Sequence, residues 1–262
     1  MFDIHSHIVH GIDDGAKTLE ESLKMVGIAE EEGFDYIVAT PHYARGYYEN
    51  SYESIKKKVK ELNVIIQENR MNIKVLHGQE VYLDDCTLKD YKNGLLGCIG
   101  DTSYMLVEFP MDKLPKNALD ILYELRVRGV NPIIAHPERY KYFIEKPSLI
   151  NSFLEEEYLF QINAVSLKGL FGKAVKDTAV TFIEHGIVNF IGSDCHTLNK
   201  RCPGIVNGIK IINEISPRIV EDIEQNCKCL LEDKPIEINY RFIRERKSIF
   251  SFFKGKSLFN AN

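Results

Sequence analysis

The sequence predicts an α/β fold, a distorted (β/α)7 TIM-like barrel, and three observations carry that expectation. Strand and helix signals alternate from the first residues onward. The strand segments are near-continuous runs rich in Val and Ile, the pattern of parallel strands covered by helices. Seven such units follow one another in roughly 200 residues, a density that suits a (β/α) barrel better than an open sheet.

In chain order, "FDIH" is the first strand, short and apolar. Thr18 and Glu21 form a T-x-x-E capping box, and the helix it opens runs to a stop signal at Gly33. Residues 35–42, "DYIVATPH", are the second strand. Ile55, Val59, Leu62 and Ile66 then recur at spacings of 4, 3 and 4, one face of a helix. Residues 73–82 read as the third strand and 104–110 as the fourth. Pro115 opens a helix that closes at Gly129. "VNPIIAHPER", "YLFQINAVSL" and "IVNFIGSDCH" supply strands five to seven. Between the last two, Ala174, Val175, Ala179, Phe182 and Ile183 suit a helix ending at Gly186. One domain over residues 1–240 is expected, followed by a tail of different character at 241–262.

The totals narrow the function classes. With 33 Lys and Arg against 38 Asp and Glu, the net charge is −5, so no overall basic field exists to hold nucleic acid. No apolar run approaches the roughly 18–20 residues of a membrane span. The start "MFDIHSHIVH" has neither a basic n-region nor an apolar h-region, so a cytoplasmic location is expected. The six cysteines show no C-x-x-C spacing, and free thiols are expected in a reducing compartment.

The ionisable residues gather at strand ends. His5 and His7 close the first strand, His42 the second, Glu80 the third, Glu108 the fourth and His136 the fifth; Asp194 and His196 close the seventh. Asp14 lies in the loop after the first strand. Barrel enzymes build their sites at that C-terminal edge. Any one of these histidines alone reads as an ordinary structural histidine; their coincidence carries the weight. Four carboxylates in a small volume repel one another and raise their pKa values, a cost that divalent cations remove. Five imidazoles and four carboxylates without a thiolate suit Mn, Fe or Zn in a carboxylate-bridged cluster. An amidohydrolase also begins with H-x-H, but no lysine lies beside Glu108 to make its usual metal bridge.

The segments "DIHSH", "DDG", "ATPH", "GQE", "LVEFP", "IIAHPER" and "GSDCH…R" stand in the order and spacing of the PHP (polymerase and histidinol phosphatase) superfamily. Within it the chain most resembles the capsule-locus protein-tyrosine phosphatases of Gram-positive bacteria, from residue 1 to about residue 235. The resemblance implies a distorted barrel holding three divalent metal ions, with manganese preferred. It places the first ion on His5, His7, Glu80 and Asp194. A second is shared by Glu80, Glu108 and His136, and a third lies on Asp14, His42 and His196. Of the adjacent Asp13 and Asp14, only the family match selects the latter. Arg139 and Arg201 match two arginines that grip phosphate. The implied partner is a phosphotyrosine protein, a bacterial tyrosine kinase controlling capsular or exopolysaccharide synthesis. Two alternatives stand beside it: a phosphatase of a small phosphate ester such as histidinol phosphate, and a non-catalytic metal-binding module.

"CHTLNKR" also satisfies C-x5-R, the spacing of cysteine phosphatases, through Cys195 and Arg201. That loop lacks glycine, and alternation along a strand turns Cys195 away if Asp194 and His196 face the metals. The expected chemistry is therefore metal-assisted hydrolysis, water activated by the cations attacking phosphorus in line with the leaving group. The loop "YARGYY" (43–48) puts three tyrosines and Arg45 above the site, either against a phosphotyrosine ring or as a plain aromatic loop. "SLKGLFGK" (166–173) follows the sixth strand. The tail interleaves Arg241, Arg244, Arg246, Lys247, Lys254 and Lys256 with Phe242, Phe250, Phe252 and Phe253. It suits weak contact with an anionic membrane surface or the kinase, which places the protein peripherally at the inner face of the cell membrane.

Overall fold

The computed structural model describes residues 2–245. β1 (Phe2–Ser6) leads to α1 (Leu19–Glu31), whose cap is Thr18: the hydroxyl accepts from the Glu21 N–H at 3.2 Å. The reciprocal half of the box is displaced by one residue, since the Glu21 carboxylate accepts from Lys17 N–H at 2.7 Å. There follow β2 (Tyr36–Ala39), β3 (His42–Ala44), β4 (Tyr48–Glu49), α2 (Tyr52–Glu68), β5 (Lys74–His77), β6 (Glu80–Tyr82) and the short α3 (Thr87–Lys92). β7 (Tyr104–Glu108), α4 (Ala118–Val127) and β8 (Asn131–Ala135) come next, then α5 (Lys141–Glu145), α6 (Asn151–Glu155) and β9 (Leu159–Asn163). α7 (Ala164–Leu167), α8 (Lys173–Glu184), β10 (Phe190–Gly192), α9 (Val206–Ile215) and α10 (Pro217–Leu231) complete the order.

The strands form two sheets, β1-β2-β5 and β10-β9-β8-β7-β6-β3-β4. The assigned pairs are parallel apart from β3 with β4, which is antiparallel. Backbone bonds also tie β1 to the chain beyond β10: Asp194 N–H donates to His5 O at 2.8 Å and His7 N–H to Cys195 O at 3.0 Å. α2 shows why the covering helices dock. Ile55, Val59, Leu62 and Ile66 are all buried, and each contributes about 1.5–3 kcal/mol of burial. A charge at Val59 would break that face.

Several elements depart from the sequence expectations. The second strand is two, β2 and β3, in different sheets, and the third is likewise β5 and β6. Pro41 at the first break has no N–H for a ladder. At the second, a Cβ on Gly78 would meet Val38 Cγ1 at 3.1 Å. α4 starts at Ala118 because the residues after Pro115 form a turn, Ala118 N–H donating to Pro115 O at 3.2 Å. β9 ends at Asn163, and "AVSL" is helical. α10 buries Ile219, Ile223, Cys227 and Leu230 on one face, a periodicity the sequence reading passed over. Residues 241–245 pack against the body: Ile243 is buried, and its N–H donates to Asn151 Oδ1 at 3.0 Å. The rest of the basic and aromatic tail, 246–262, lies outside the described residues. No helix among the described residues is long and apolar enough to cross a membrane.

Candidate metal centre

Register decides which side chains face inward. Ser6 and Cys195 bridge in parallel and are both fully buried in the body of the protein. Their neighbours His5, His7, Asp194 and His196 converge on the other side. His42 pairs with Glu80 across β3 and β6, and Tyr82 with Glu108 across β6 and β7. The approach is close. A Cβ on Gly192 would stand 2.6 Å from His5 Cβ, so only glycine fits beside that imidazole. Two inward residues adopt left-handed backbone, His136 at φ 31° and Asp194 at φ 50°. Such conformations cost on the order of 1–3 kcal/mol and concentrate at functional sites.

All nine predicted ligands meet here. Four groups of ligand atoms each lie within 4.8 Å of one another: His7, Asp14, His42 and His196; His5, His7 and Glu80; His5, His136 and Asp194; and His42, Glu80 and Glu108. Because His5, His7, His42 and Glu80 recur, these form one contiguous cluster. Glu80 is the hub. Its Oε2 lies 3.2 Å from His5 Nε2, 3.2 Å from His7 Nε2 and 3.1 Å from His42 Nδ1, while Oε1 lies 2.8 Å from His136 Nε2. Two donors bound to one ion at about 2.1 Å are separated by about 3.0–3.5 Å, the spacing seen around Oε2. The groups cut across the predicted three sets: His7 joins Asp14, His42 and His196, His136 lies with His5 and Asp194, and His42 with Glu80 and Glu108.

The donor set fits cations in its tautomers as well. His5 Nδ1 donates to Gln161 Oε1 at 2.9 Å, His7 Nδ1 to Asp13 Oδ2 at 2.7 Å and His196 Nδ1 to Asp194 O at 3.0 Å. Each bond seats a proton on Nδ1 and turns Nε2 toward the cluster, the atom a cation would take in a metal-bound imidazole. The Nε2 atoms of His5 and His7 then oppose each other at 3.3 Å, a repulsion that a shared cation turns into attraction. Glu80 Oε2 is buried without a hydrogen-bond partner, a loss on the order of 1–3 kcal/mol unless something charged faces it. The residues fit divalent ions.

Electrostatics sort the acids. Burial opposes the Glu80 charge, yet His5, His42 and His136 hold its carboxyl well below the usual range. Glu108 goes the other way, pushed up by burial and by the Glu80 charge. Burial and Arg139 push His136 down to about 4, which favours the neutral imidazole at physiological pH. Asp194 stays ionised against burial because His5, Arg201 and Arg139 surround it.

Arg139 and Arg201 arrive on the same carboxylate. Arg139 Nη1 donates to Asp194 Oδ2 at 2.9 Å and Arg201 Nη2 to Asp194 Oδ1 at 2.6 Å. The Arg139 guanidinium also lies over the Phe171 ring, 4.5 Å from its centroid. Each keeps further N–H donors in its fork. Cys195 belongs to the apolar core, and burial followed by the Asp3 charge pushes its thiol far up. The N–H groups of His196 and Thr197 both donate to Arg201 O, at 2.8 and 3.0 Å. They are consumed closing the loop and cannot cradle a phosphate. The C-x5-R spacing is coincidental.

Sequence reasoning missed the residues that orient the ligands. Asp13 fixes His7. Gln161 fixes His5, and Asn163 Nδ2 donates to Asp194 Oδ2 at 2.7 Å. Glu138 accepts from Asn163 N–H at 2.9 Å and from the Ser166 hydroxyl at 2.7 Å. The signal was present in "LFQIN": two amides at i and i+2 inside an apolar strand mark an inward polar face.

With that geometry in place, relatives can be set beside it. A family model described as capsular polysaccharide synthesis, CpsB/CapC, matches residues 1–232. The chain belongs to the CpsB/CapC family. Among its relatives, tyrosine-protein phosphatase YwqE of Bacillus subtilis is 32% identical over 254 residues, 97% of this chain and 100% of the relative. Tyrosine-protein phosphatase CpsB of Streptococcus pneumoniae is 30% identical over 217 residues, 81% and 89% of the two chains. A solved structure from work on YwqE and CpsB, described there as unique metal-dependent tyrosine phosphatases, superposes with a TM-score of 0.89 at 30% identity. It covers 94% of this chain and 100% of the other. The CpsB/CapC chain thus shares its α/β fold with those enzymes.

Proposed function

We propose that this CpsB/CapC protein is a metal-dependent protein-tyrosine phosphatase whose substrate is the phosphotyrosine of a tyrosine kinase acting in capsular or exopolysaccharide synthesis. The observation that carries the reading is the convergence of Arg139 and Arg201 on Asp194 at the edge of a nine-residue ligand cluster. The names of the YwqE and CpsB relatives support it.

The ligands are assigned to three divalent ions, manganese with iron or zinc as substitutes: His5, His7, Glu80 and Asp194 at the first, Glu80, Glu108 and His136 at the second, Asp14, His42 and His196 at the third. When bound, such cations supply Lewis-acid charge to phosphoryl oxygens and acidify water for attack. The chain's own residues do the rest. The two oxygens of Glu80 face different imidazoles, which suits a bridging carboxylate. The planar forks of Arg139 and Arg201 match two phosphoryl oxygens each, and the Arg139 guanidinium rests over the Phe171 ring. A departing phenolate has a pKa of about 10, so the demand for a general acid is small.

The two sheets are read as one distorted seven-stranded barrel. In it β2 with β3 and β5 with β6 are halves of bent strands, and the Ser6–Cys195 bridge joins first to last. Residues 1–240 form its single domain, and the tail at 241–262 is assigned to contact with the kinase or an anionic membrane surface.

The test compares a phosphotyrosine peptide, a phosphoserine peptide and histidinol phosphate on metal-loaded protein, with and without chelator. Turnover of the phosphotyrosine peptide, lost on chelation and restored by manganese, is expected. Rapid turnover of histidinol phosphate beside an inert phosphotyrosine peptide would replace this reading with the small-ester one.

A further inference from the structure

The β3–β4 hairpin carries groups that neither the cluster nor the arginines use. Its tip exposes Tyr47, which is 85% accessible. Tyr48, opposite Ala44 in the antiparallel pairing, lies nearly parallel to the His42 imidazole, with ring centroids 5.8 Å apart and planes 14° apart. Tyr48 thus extends, outward, a wall whose inner part is a ligand. On the adjoining strand Tyr82 stands in register with Glu108. Burial and then the charges of Asp14 and Asp13 push the Tyr48 hydroxyl up; burial and then Glu108 and Tyr47 do the same for Tyr82. Both phenols therefore stand within electrostatic reach of the cluster.

The hairpin is pinned. Asp90 on α3, 2% exposed, accepts from the Tyr43 hydroxyl at 3.1 Å and from the Arg45 guanidinium through both carboxylate oxygens. Two side chains of one hairpin thus end on a single buried charge, and removing it would leave both unpaired. At the hairpin's end, Asn50 Nδ2 donates to Ile12 O at 2.7 Å, tying it to the loop that carries Asp13 and Asp14. Ordering long side chains such as Arg costs entropy, which the Asp90 contacts offset. A rigid aromatic wall at the mouth is what a flat ring needs as a stacking partner. An alkyl phosphate offers it no face.

We propose that the β3–β4 hairpin is the aryl-recognition element of the site: Tyr48 stacks on the phenol ring of the substrate, and Asp90, through Arg45 and Tyr43, holds the hairpin in position. This rests on the phosphatase reading. Tyr48 touches substrate, whereas Asp90 is a positioning residue.

The test uses the metal-loaded full chain with phenyl phosphate and glycerol 2-phosphate, and reads the ratio of their kcat/KM values. Tyr48→Ala is expected to lower that ratio about tenfold, mainly through the KM for phenyl phosphate, the order expected for losing one stacked pair. Tyr48→Phe keeps the ratio within about twofold, because the ring and not the hydroxyl makes the contact. Asp90→Asn raises the KM for phenyl phosphate with kcat little changed and metal content equal to wild type. If Tyr48→Ala does not fold, Tyr48→Leu, which keeps bulk without a ring face, is read in the same way. An unchanged ratio, or an equal loss on both esters, overturns the inference while the phosphatase reading stands. Wild-type protein that hydrolyses neither ester removes both.

Discussion

Asp13 Oδ2 lies 2.7 Å from His7 Nδ1, and that contact gives two adjacent aspartates different work. Asp13 also accepts from the N–H groups of Gly15 at 2.9 Å and His42 at 3.2 Å, so its oxygens are spent holding the loop and the imidazole. Asp14 reaches the opposite way, its Oδ1 3.3 Å from His196 Nε2 and 3.5 Å from His42 Nε2. Outer carboxylates of this kind typically contribute 10- to 100-fold in metal affinity. Asp13→Asn is expected to weaken metal binding by that order with the fold intact, measured by metal-buffer titration. Affinity equal to wild type would return Asp13 to an ordinary loop residue.

Cys195 supplies the sharpest contrast between mechanisms. Its thiol is buried and far from thiolate at neutral pH, and a thiol nucleophile must be ionised and accessible. Cys195→Ala is therefore expected to keep kcat within about twofold of wild type once corrected for folded protein. His136→Ala or Asp194→Ala is expected to abolish turnover, each removing a ligand from a contiguous cluster. A steady-state assay paired with metal analysis decides. An inactive Cys195→Ala protein with full metal content contradicts the mechanism.

The arginines answer to a different variant. Lysine keeps the charge of Arg139 but loses the planar fork and its seat on Phe171. Removing one preorganised donor to developing charge costs about 10²–10³ in kcat. Arg139→Ala and Arg201→Ala are expected to lose that much, and Arg139→Lys to recover only part of it. Because both guanidiniums also hold Asp194, metal content is measured alongside. A Lys variant with full activity would mean that only charge is needed there.

How much of this was legible in the chain depends on what each residue does. Ionisable side chains at the ends of apolar strands stand out, because burying them without partners is so unfavourable; hence His5, His42, Glu80, Glu108 and His136 could be picked from "DIHSH", "ATPH", "GQE", "LVEFP" and "IIAHPER". The bends that split the second and third strands were not legible, since Pro41 and Gly78 interrupt runs that remain apolar on both sides. Nor was the division between Asp13 and Asp14, which is set by a loop closed through Ala16 N–H to His7 O at 3.0 Å. Amides such as Gln161 and Asn163 mark an inward polar face in "LFQIN", but which side chains they orient is decided only when the fold brings them to His5 and Asp194. The Asp90 anchor is illegible for the same reason: 47 residues separate it from Tyr43.

Glu138 gives a prediction about stability and pH. It is fully buried, Oε1 accepts from Asn163 and Ser166, and Oε2 has no hydrogen-bond partner. Burial pushes its carboxyl up from 4.5 to about 7. The folded state therefore holds this proton more tightly than the unfolded chain does. Between about pH 4.5 and pH 7 the folded state binds more protons, so stability falls as pH rises through that window and levels off above it. The gap from 4.5 to about 7 corresponds to roughly 3 kcal/mol, on the order of 5–10 °C in Tm for a chain of this size. Glu138→Gln keeps an acceptor for Asn163 and Ser166 and cannot ionise. Other titrating groups cancel when the two proteins are compared at each pH, so the quantity to measure is the Tm of the variant minus that of wild type. That difference is expected to grow in the variant's favour from pH 5 to pH 8. A difference flat across that range would show that Glu138 is already ionised when the protein folds, with Arg139 supplying the countercharge.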